Sequence, residues 1–177
     1  MTVNGYLIDL HDRILLTGNI GGDSVEKIFE ARGLPITSAQ YFTNIIDTRT
    51  TGIDLTGNYR TTLGSFSSLL LTAGANYTKN EISDERPLPP QLEGTGAELV
   101  DKFTTLVIEK ERPDWRGTLT ANLSRGKADL LARGSYYGKF YSAPGLCDNC
   151  EQLFGAKTLF DLETGYRLGA MRWALGA

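Results

Sequence analysis

The sequence predicts an all-β protein, an antiparallel transmembrane β-barrel with about seven strands. Apolar and polar residues alternate with period two over long runs, as in strands with one apolar and one polar face. Several runs reach the ~9–11 residues that a tilted membrane-spanning strand needs. Short and long connections alternate along the chain, and short periplasmic turns with long extracellular loops are typical of outer-membrane barrels.

The strands follow in order from this alternation. The first covers about residues 3–17, and Asp12 interrupts its pattern, which indicates a strand end. Its expected apolar face carries Tyr6, Ile8, Leu10, Ile14 and Leu16, and its opposite face Asp9, His11 and Arg13. The later strands are expected at residues 53–60, 68–78, 118–124, 128–137 and 158–168, and from Arg172 onward.

The connections fall into two classes. The turns at 61–65, 125–127 and 169–171 are short, whereas the loops at 18–40, 82–114 and 142–156 are long. Asp23 and Ser24 can cap a helix over residues 25–32, which Gly33 would end. Residues 96–107 fit either a helix or a strand, and the prolines in 85–94 predict irregular loop.

Aromatic and charged residues favour a membrane location for the strands. Tyr59 and Phe66 flank one short turn, and Tyr166 and Trp173 flank another, as in the aromatic girdles of membrane barrels. Charged side chains avoid the middles of the apolar faces, although the core of a soluble sandwich would exclude them too. The opposite faces carry Asp54, Asp129, Arg133, Asp161, Glu163 and Arg167.

Composition excludes several classes of function. The net charge of −3 and the pI of about 5.2 argue against a nucleic-acid partner that needs a basic surface. His11 is the only histidine, so sites that need two imidazoles are excluded. No nucleophile has a partner at catalytic spacing, and we expect no enzymatic activity, catalytic residue, metal site or cofactor.

Four segments carry more specific strand motifs. Residues 6–14 read YLIDLHDRI, and residues 44–59 read NIIDTRTTGIDLTGNY, in which Thr-x-Gly-Ile-Asp precedes a short turn. Residues 161–166 and the ending Trp173-Ala-Leu-Gly complete the set. Through these motifs the chain resembles the C-terminal part of the β-barrel of a TonB-dependent outer-membrane receptor. The likeness covers most of the chain except the long loops.

The resemblance implies a receptor in the bacterial outer membrane that imports a scarce nutrient, such as an iron siderophore or similar metal chelate. It implies outer-membrane lipid as a partner, and TonB through an N-terminal region missing from this chain. Residues 1–177 are expected to be a fragment of the barrel, with the plug domain absent. A small stand-alone outer-membrane barrel (an adhesin or structural protein) and a soluble ligand-binding β-barrel remain alternatives.

Two sets of residues are candidates for a role beyond the barrel wall. Tyr137 and Tyr141 lie in the densest aromatic cluster, on the polar phase of a strand that meets a long loop, and are predicted to bind ligand. Tyr136 and Phe140 have the lipid-facing phase and fit the aromatic girdle. Cys147 and Cys150 are predicted to form a disulfide in an external loop, because the cell surface is oxidising. His11 is expected to be hydrogen-bonded and to face the lumen.

Overall fold

A computed structural model describes residues 1–142 and 151–177. It begins with β1 (Thr2–Leu16), β2 (Ile20–Gly21), α1 (Asp23–Glu30) and β3 (Ser38–Ala39). It continues with β4 (Phe42–Thr62), β5 (Ser67–Glu85), a 3-10 turn (Pro90–Leu92), α2 (Lys102–Glu109), β6 (Trp115–Arg125) and β7 (Ala128–Tyr137). The last elements are β8 (Phe140–Ser142), β9 (Gln152–Phe154), β10 (Lys157–Leu168) and β11 (Met171–Gly176).

Within the described residues, seven long strands form one antiparallel sheet, the main sheet, in the order β1-β4-β5-β6-β7-β10-β11. Every long strand pairs with the next long strand along the chain, as in a meander. The sheet is open, as expected for part of a barrel wall. These findings confirm the predicted antiparallel barrel architecture.

The register gives the main sheet a polar face and an apolar face, because residues paired across strands point to the same side. Leu119 of β6 pairs with Ala73 and Gly134, whereas its neighbour Thr118 pairs with Gly74 and Ser135. The apolar face stays exposed: Phe160 keeps 80% of its surface and Trp173 67%. An uncovered apolar face of this extent suits contact with lipid.

All three short connections lie at one end of the main sheet, the turn end. They consist of residues 63–66, 126–127 and 169–170. Gly64, Gly126 and Gly169 have positive φ there, a conformation that glycine adopts without steric cost. The long connections, residues 17–41 and 86–114 and the described parts of 138–156, lie at the opposite end, the loop end, as predicted from their alternating lengths.

The strands differ from the prediction mainly at the loop end. β4 covers 21 residues and β5 covers 19, well beyond the predicted 53–60 and 68–78. These strands extend past the length that a membrane requires, and polar residues on both faces hide the extension from a search for alternation. β5 continues to Glu85, so the loop begins later than the predicted residue 82.

The predicted orientation of β1 is wrong for the residues up to His11, whereas Arg13 lies on the polar face as predicted. Tyr6 pairs with Gly52, and Ile8 pairs with Thr50, both of which lie on the polar face. A β-bulge explains the error: His11 and Asp12 lie opposite one residue of β4, and Asp12 has φ of 54°. The bulge changes the phase within one continuous strand, so Asp12 does not mark a strand end.

The buried core lies at the loop end rather than within the main sheet. Its members come from the first two long connections and from the extended part of β4. They are Ile20, Val25, Ile45, Ile46, Leu92, Ala97, Leu99 and Val100. The long loops therefore pack as a cap on the strand ends.

Both helices of the described chain lie in this cap. α1 begins at Asp23, with Gly22 at the N-cap position, so Asp23 is a helical residue and not the predicted cap. α2 resolves the ambiguity of residues 96–107 in favour of a helix, and begins only at Lys102. Asp101 caps it by accepting a hydrogen bond of 2.7 Å from the Thr104 amide. Neither helix of the described residues is long or apolar enough to cross a membrane.

Candidate functional site

The candidate site is a groove of about 690 Å³ on the polar face, formed by β1, β4, β5, β6 and β7. At its base, Tyr6 reaches across Gly52 to Thr78, with 2.5 Å between the two hydroxyl oxygens. Thr78 in turn donates a hydrogen bond of 3.1 Å to the side-chain oxygen of Asn76. A side chain at position 52 would block this contact, so glycine is required between the tyrosine and the threonine.

Asn76 links the groove to its charged groups. Its amide nitrogen donates a bond of 2.6 Å to the Asp54 carboxylate, and its oxygen accepts one of 3.3 Å from the Arg116 guanidinium. The groove therefore presents an anion, a cation and hydroxyl groups in a fixed arrangement. Such a surface can hydrogen-bond a polar ligand from several sides, but it contains no activated nucleophile.

The structure places Tyr137 in this groove. Tyr137 pairs with Arg116 across β6 and β7, lines the groove and remains 42% exposed. An exposed aromatic ring beside a guanidinium offers a flat apolar surface with a polar rim. Tyr136 has the opposite phase on β7 and shares the apolar face with Leu119.

Tyr141 lies in a different element. β8 and β9 form a separate two-stranded hairpin, in which Phe140 and Phe154 stack with 4.9 Å between ring centroids. The Tyr141 amide donates a hydrogen bond of 2.9 Å to the Lys110 carbonyl oxygen, which attaches this hairpin to the end of α2. Tyr137 and Tyr141 thus belong to neighbouring elements at the loop end, and Tyr137 lines the groove whereas Tyr141 does not.

The predicted disulfide between Cys147 and Cys150 lies outside the described residues. It remains a prediction with a direct test. Alkylation of the unreduced protein followed by mass spectrometry should detect no modified cysteine at either position, since the oxidising cell surface favours the disulfide. Reduction before alkylation is the positive control and should modify both. Two alkylated thiols without reductant would refute the disulfide.

His11 contacts a cluster of charges at the loop end, beyond the apolar band that suits lipid contact. Its Nδ1 lies 2.9 Å from Asp47, whose other oxygen accepts a bond from the Asp12 amide. The hydrogen bond to Asp47 is the main cause that raises the His11 pKa above its ordinary value. Thr48 lies on the polar face, so its neighbour Asp47 on β4, and His11 which contacts Asp47, lie on the opposite face. The expected lumenal position of His11 is therefore wrong.

Arg86 neutralises part of this cluster, because its guanidinium donates to Asp12, Asp47 and Asp84 at 2.7, 3.2 and 2.9 Å. Among the described residues, no group of three or more His, Cys, Asp or Glu side chains is arranged to hold a metal ion. The cluster is an ion-pair network that joins β1, β4 and the segment following β5.

Charged residues of the polar face also meet at the turn end. Arg172 of β11 donates hydrogen bonds to Asp129 of β7 at 2.5 Å and to Glu163 of β10 at 2.7 Å. The alternation of the sequence predicts both acidic residues on the polar face but not their shared partner, because the pairing depends on the register of three strands. The Tyr6–Thr78–Asn76 chain was missed for the same reason. The only signal for this contact in the sequence was the presence of Tyr6 in one strand and of Gly52 in a later one.

Comparison with protein families matches residues 1–177 to the family described as TonB dependent receptor-like, beta-barrel. Comparison with curated proteins gives no significant match. The family match covers the whole chain and agrees with the meander of long antiparallel strands, the exposed apolar face and the polar wall. Proteins of this family are receptors and transporters of the bacterial outer membrane. The chain therefore belongs to the TonB-dependent receptor-like β-barrel family.

Proposed function

We propose that this chain forms part of the barrel wall of a receptor that takes up an iron siderophore, or a similar scarce nutrient, in a TonB-dependent way. The observation that carries the proposal is the groove on the polar face, which combines Tyr137, Arg116 and Asp54 on one rigid sheet. In a membrane barrel the polar face lines the lumen, through which substrate must pass. The wall would guide substrate and would catalyse no reaction.

Two tyrosines would contact the ligand in this scheme. Tyr137 offers an exposed ring next to a cation, and Tyr141 lies in the hairpin attached to α2 at the mouth. Flat or apolar parts of a metal chelate would stack on such rings, which stabilises a contact by about 0.5–1.5 kcal/mol per aromatic pair. The energy input would come from TonB through an N-terminal region outside this chain, and a plug domain would occupy the lumen.

The proposal is tested with the complete receptor gene in its own host. We expect a deletion strain to lose uptake of radiolabelled iron supplied as siderophore-containing culture supernatant during iron limitation. Tyr137→Ala and Tyr141→Ala should each lower uptake per receptor by about three- to tenfold, because a stacking surface is lost. Receptor amount in the outer membrane is measured for every strain.

Tyr166→Ala is the matched control, since Tyr166 is an exposed tyrosine on the apolar face, opposite Ala128, and lies outside the groove. We expect this variant to import at the wild-type rate per folded receptor. Normal uptake by the Tyr137 and Tyr141 variants would remove their proposed role. Unchanged iron uptake in the deletion strain would refute the siderophore as substrate.

A further inference from the structure

A second cavity lies on the polar face at the loop end, between the main sheet and α2. Its volume is about 200 Å³, large enough for a small ligand or for one functional group of a larger ligand. β1, β4 and β5 form its floor, while α2 and the residues that follow it form its roof. Its polar and charged lining consists of Arg13, Thr48, Thr50, Asn80, Glu111 and Arg112.

Local irregularities in the strands position both sides of this cavity. The bulge at His11 and Asp12 restores Arg13 to the polar face, where its guanidinium donates a bond of 3.4 Å to the Thr48 hydroxyl oxygen. The register between β4 and β5 shifts next to Ile82. There the Ile82 amide donates a hydrogen bond of 2.9 Å to the Glu109 carboxylate of α2. Glu109 thereby holds the end of α2 over the polar face.

The lining offers more hydrogen-bond donors than acceptors. Thr48 is buried at 3% exposure, and its oxygen accepts from Arg13, so its own hydroxyl hydrogen can be donated. Thr50 donates to the Asn80 oxygen at 2.7 Å, which leaves the Asn80 amide nitrogen with its two hydrogens. The two guanidinium groups can only donate.

The charges of the lining also favour an anion. Arg13 and Arg112 bring two positive charges, and Glu111 brings one negative charge. Guanidinium groups bind carboxylate and phosphate through paired, charge-assisted hydrogen bonds, and an oxyanion would supply further acceptors to a lining in which donors outnumber acceptors.

We propose that this cavity binds an oxyanion, a carboxylate or phosphate group, between Arg13 and Arg112. The inference rests on the proposed function, because it takes the oxyanion to be a group carried by the imported nutrient. A free anion of the same chemistry would use the same donors. The segment following α2 would then contribute directly to the binding site at the mouth of the barrel.

Calorimetric titration of the detergent-purified complete receptor tests the site, with succinate and inorganic phosphate as probes. We expect at least one probe to bind at millimolar concentration. Arg13→Gln and Arg112→Gln should each weaken binding about tenfold or more, because each removes charge-assisted bonds. Arg32→Gln is the control, since Arg32 is an exposed arginine outside the cavity, and should bind as the wild type does.

Glu111→Gln provides a measurement that damage to the fold could not imitate. Removing the negative charge from the lining should strengthen anion binding several-fold, whereas a misfolded variant would bind less. Heat-dependent migration on gels verifies that each variant is a folded barrel. Failure of both probes to bind, or equal affinities for the wild type and both arginine variants, would overturn the proposal.

Uptake measurements separate this inference from the proposed function. Inhibition of iron uptake by the bound probe would show that the nutrient's own oxyanion uses the cavity. Uptake that is unaffected by a probe bound through the arginines would assign the cavity to a free anion. Anion binding in a receptor whose deletion leaves iron uptake unchanged would refute the siderophore proposal and retain the site. Receptor-dependent iron uptake without binding of either probe would retain the siderophore proposal and refute the oxyanion site.

Discussion

Leu119→Arg is expected to lower the stability of the folded barrel by about 2–4 kcal/mol, the cost of a basic side chain on a lipid-facing strand near the membrane midplane. Leu119 lies near the middle of β6 and is 57% exposed on the apolar face, between Ala73 and Gly134. Urea unfolding of the complete receptor in lipid vesicles, followed by heat-dependent gel migration, measures the change.

Asn122→Arg is the matched control for this substitution. Asn122 lies three residues further along the same strand but on the polar face, opposite Leu70 and Leu131. The polar face of a wide membrane barrel borders water, so the added charge keeps its hydration and should change stability by less than about 1 kcal/mol. Equal losses at both positions would contradict the assignment of the two faces.

Gly52→Ala is expected to destabilise the receptor by about 2–4 kcal/mol through overpacking and a lost hydrogen bond. A methyl group at this position would overlap the end of the Tyr6 ring and would lie 2.6 Å from the Tyr77 carbonyl oxygen. The tyrosine would have to leave Thr78, and β4 would have to move from β5. Unfolding midpoints in urea, compared at constant slope, give the magnitude.

Gly57→Ala serves as its control. Gly57 lies on the same strand, β4, and a methyl group added there would meet no atom within 4 Å. We expect its stability to match the wild type. Combining Tyr6→Ala with Gly52→Ala relieves the ring overlap but retains the contact with the Tyr77 backbone. The double variant should therefore recover only part of the loss. Wild-type stability of Gly52→Ala alone would show that the Tyr6 side chain does not lie across Gly52.

The strands of the central and C-terminal part of the chain were predictable because their alternation is local. β7 occupies the predicted Ala128–Tyr137 without change, and β10 begins one residue early. Where polar residues occupy both faces, as in the outer half of β4, the alternation disappears although the strand continues. The sequence then predicts too short a strand.

The candidate site was only partly predictable. The phase of Tyr137 placed its ring on the polar face, and the structure finds it beside Arg116. Tyr141 could not be located, because Gly138 and Lys139 end the main strand and β8 begins a new hairpin. The contacts of Asn76 with Tyr6 and Arg116 join residues 70 and 40 positions apart, and local periodicity contains no information at such separations.

The sequence by itself determined the class of fold, the two faces of most strands and the sorting of connections into turns and loops. These features depend on side-chain period and on turn chemistry, which act over a few residues. The tertiary structure decided the bulge that reorients β1, the tyrosine that crosses Gly52, the buried core at the loop end and the return of α2 onto the polar face. Each of these depends on strand register and long-range packing, because their partners are distant in the chain and are brought together only by the completed sheet.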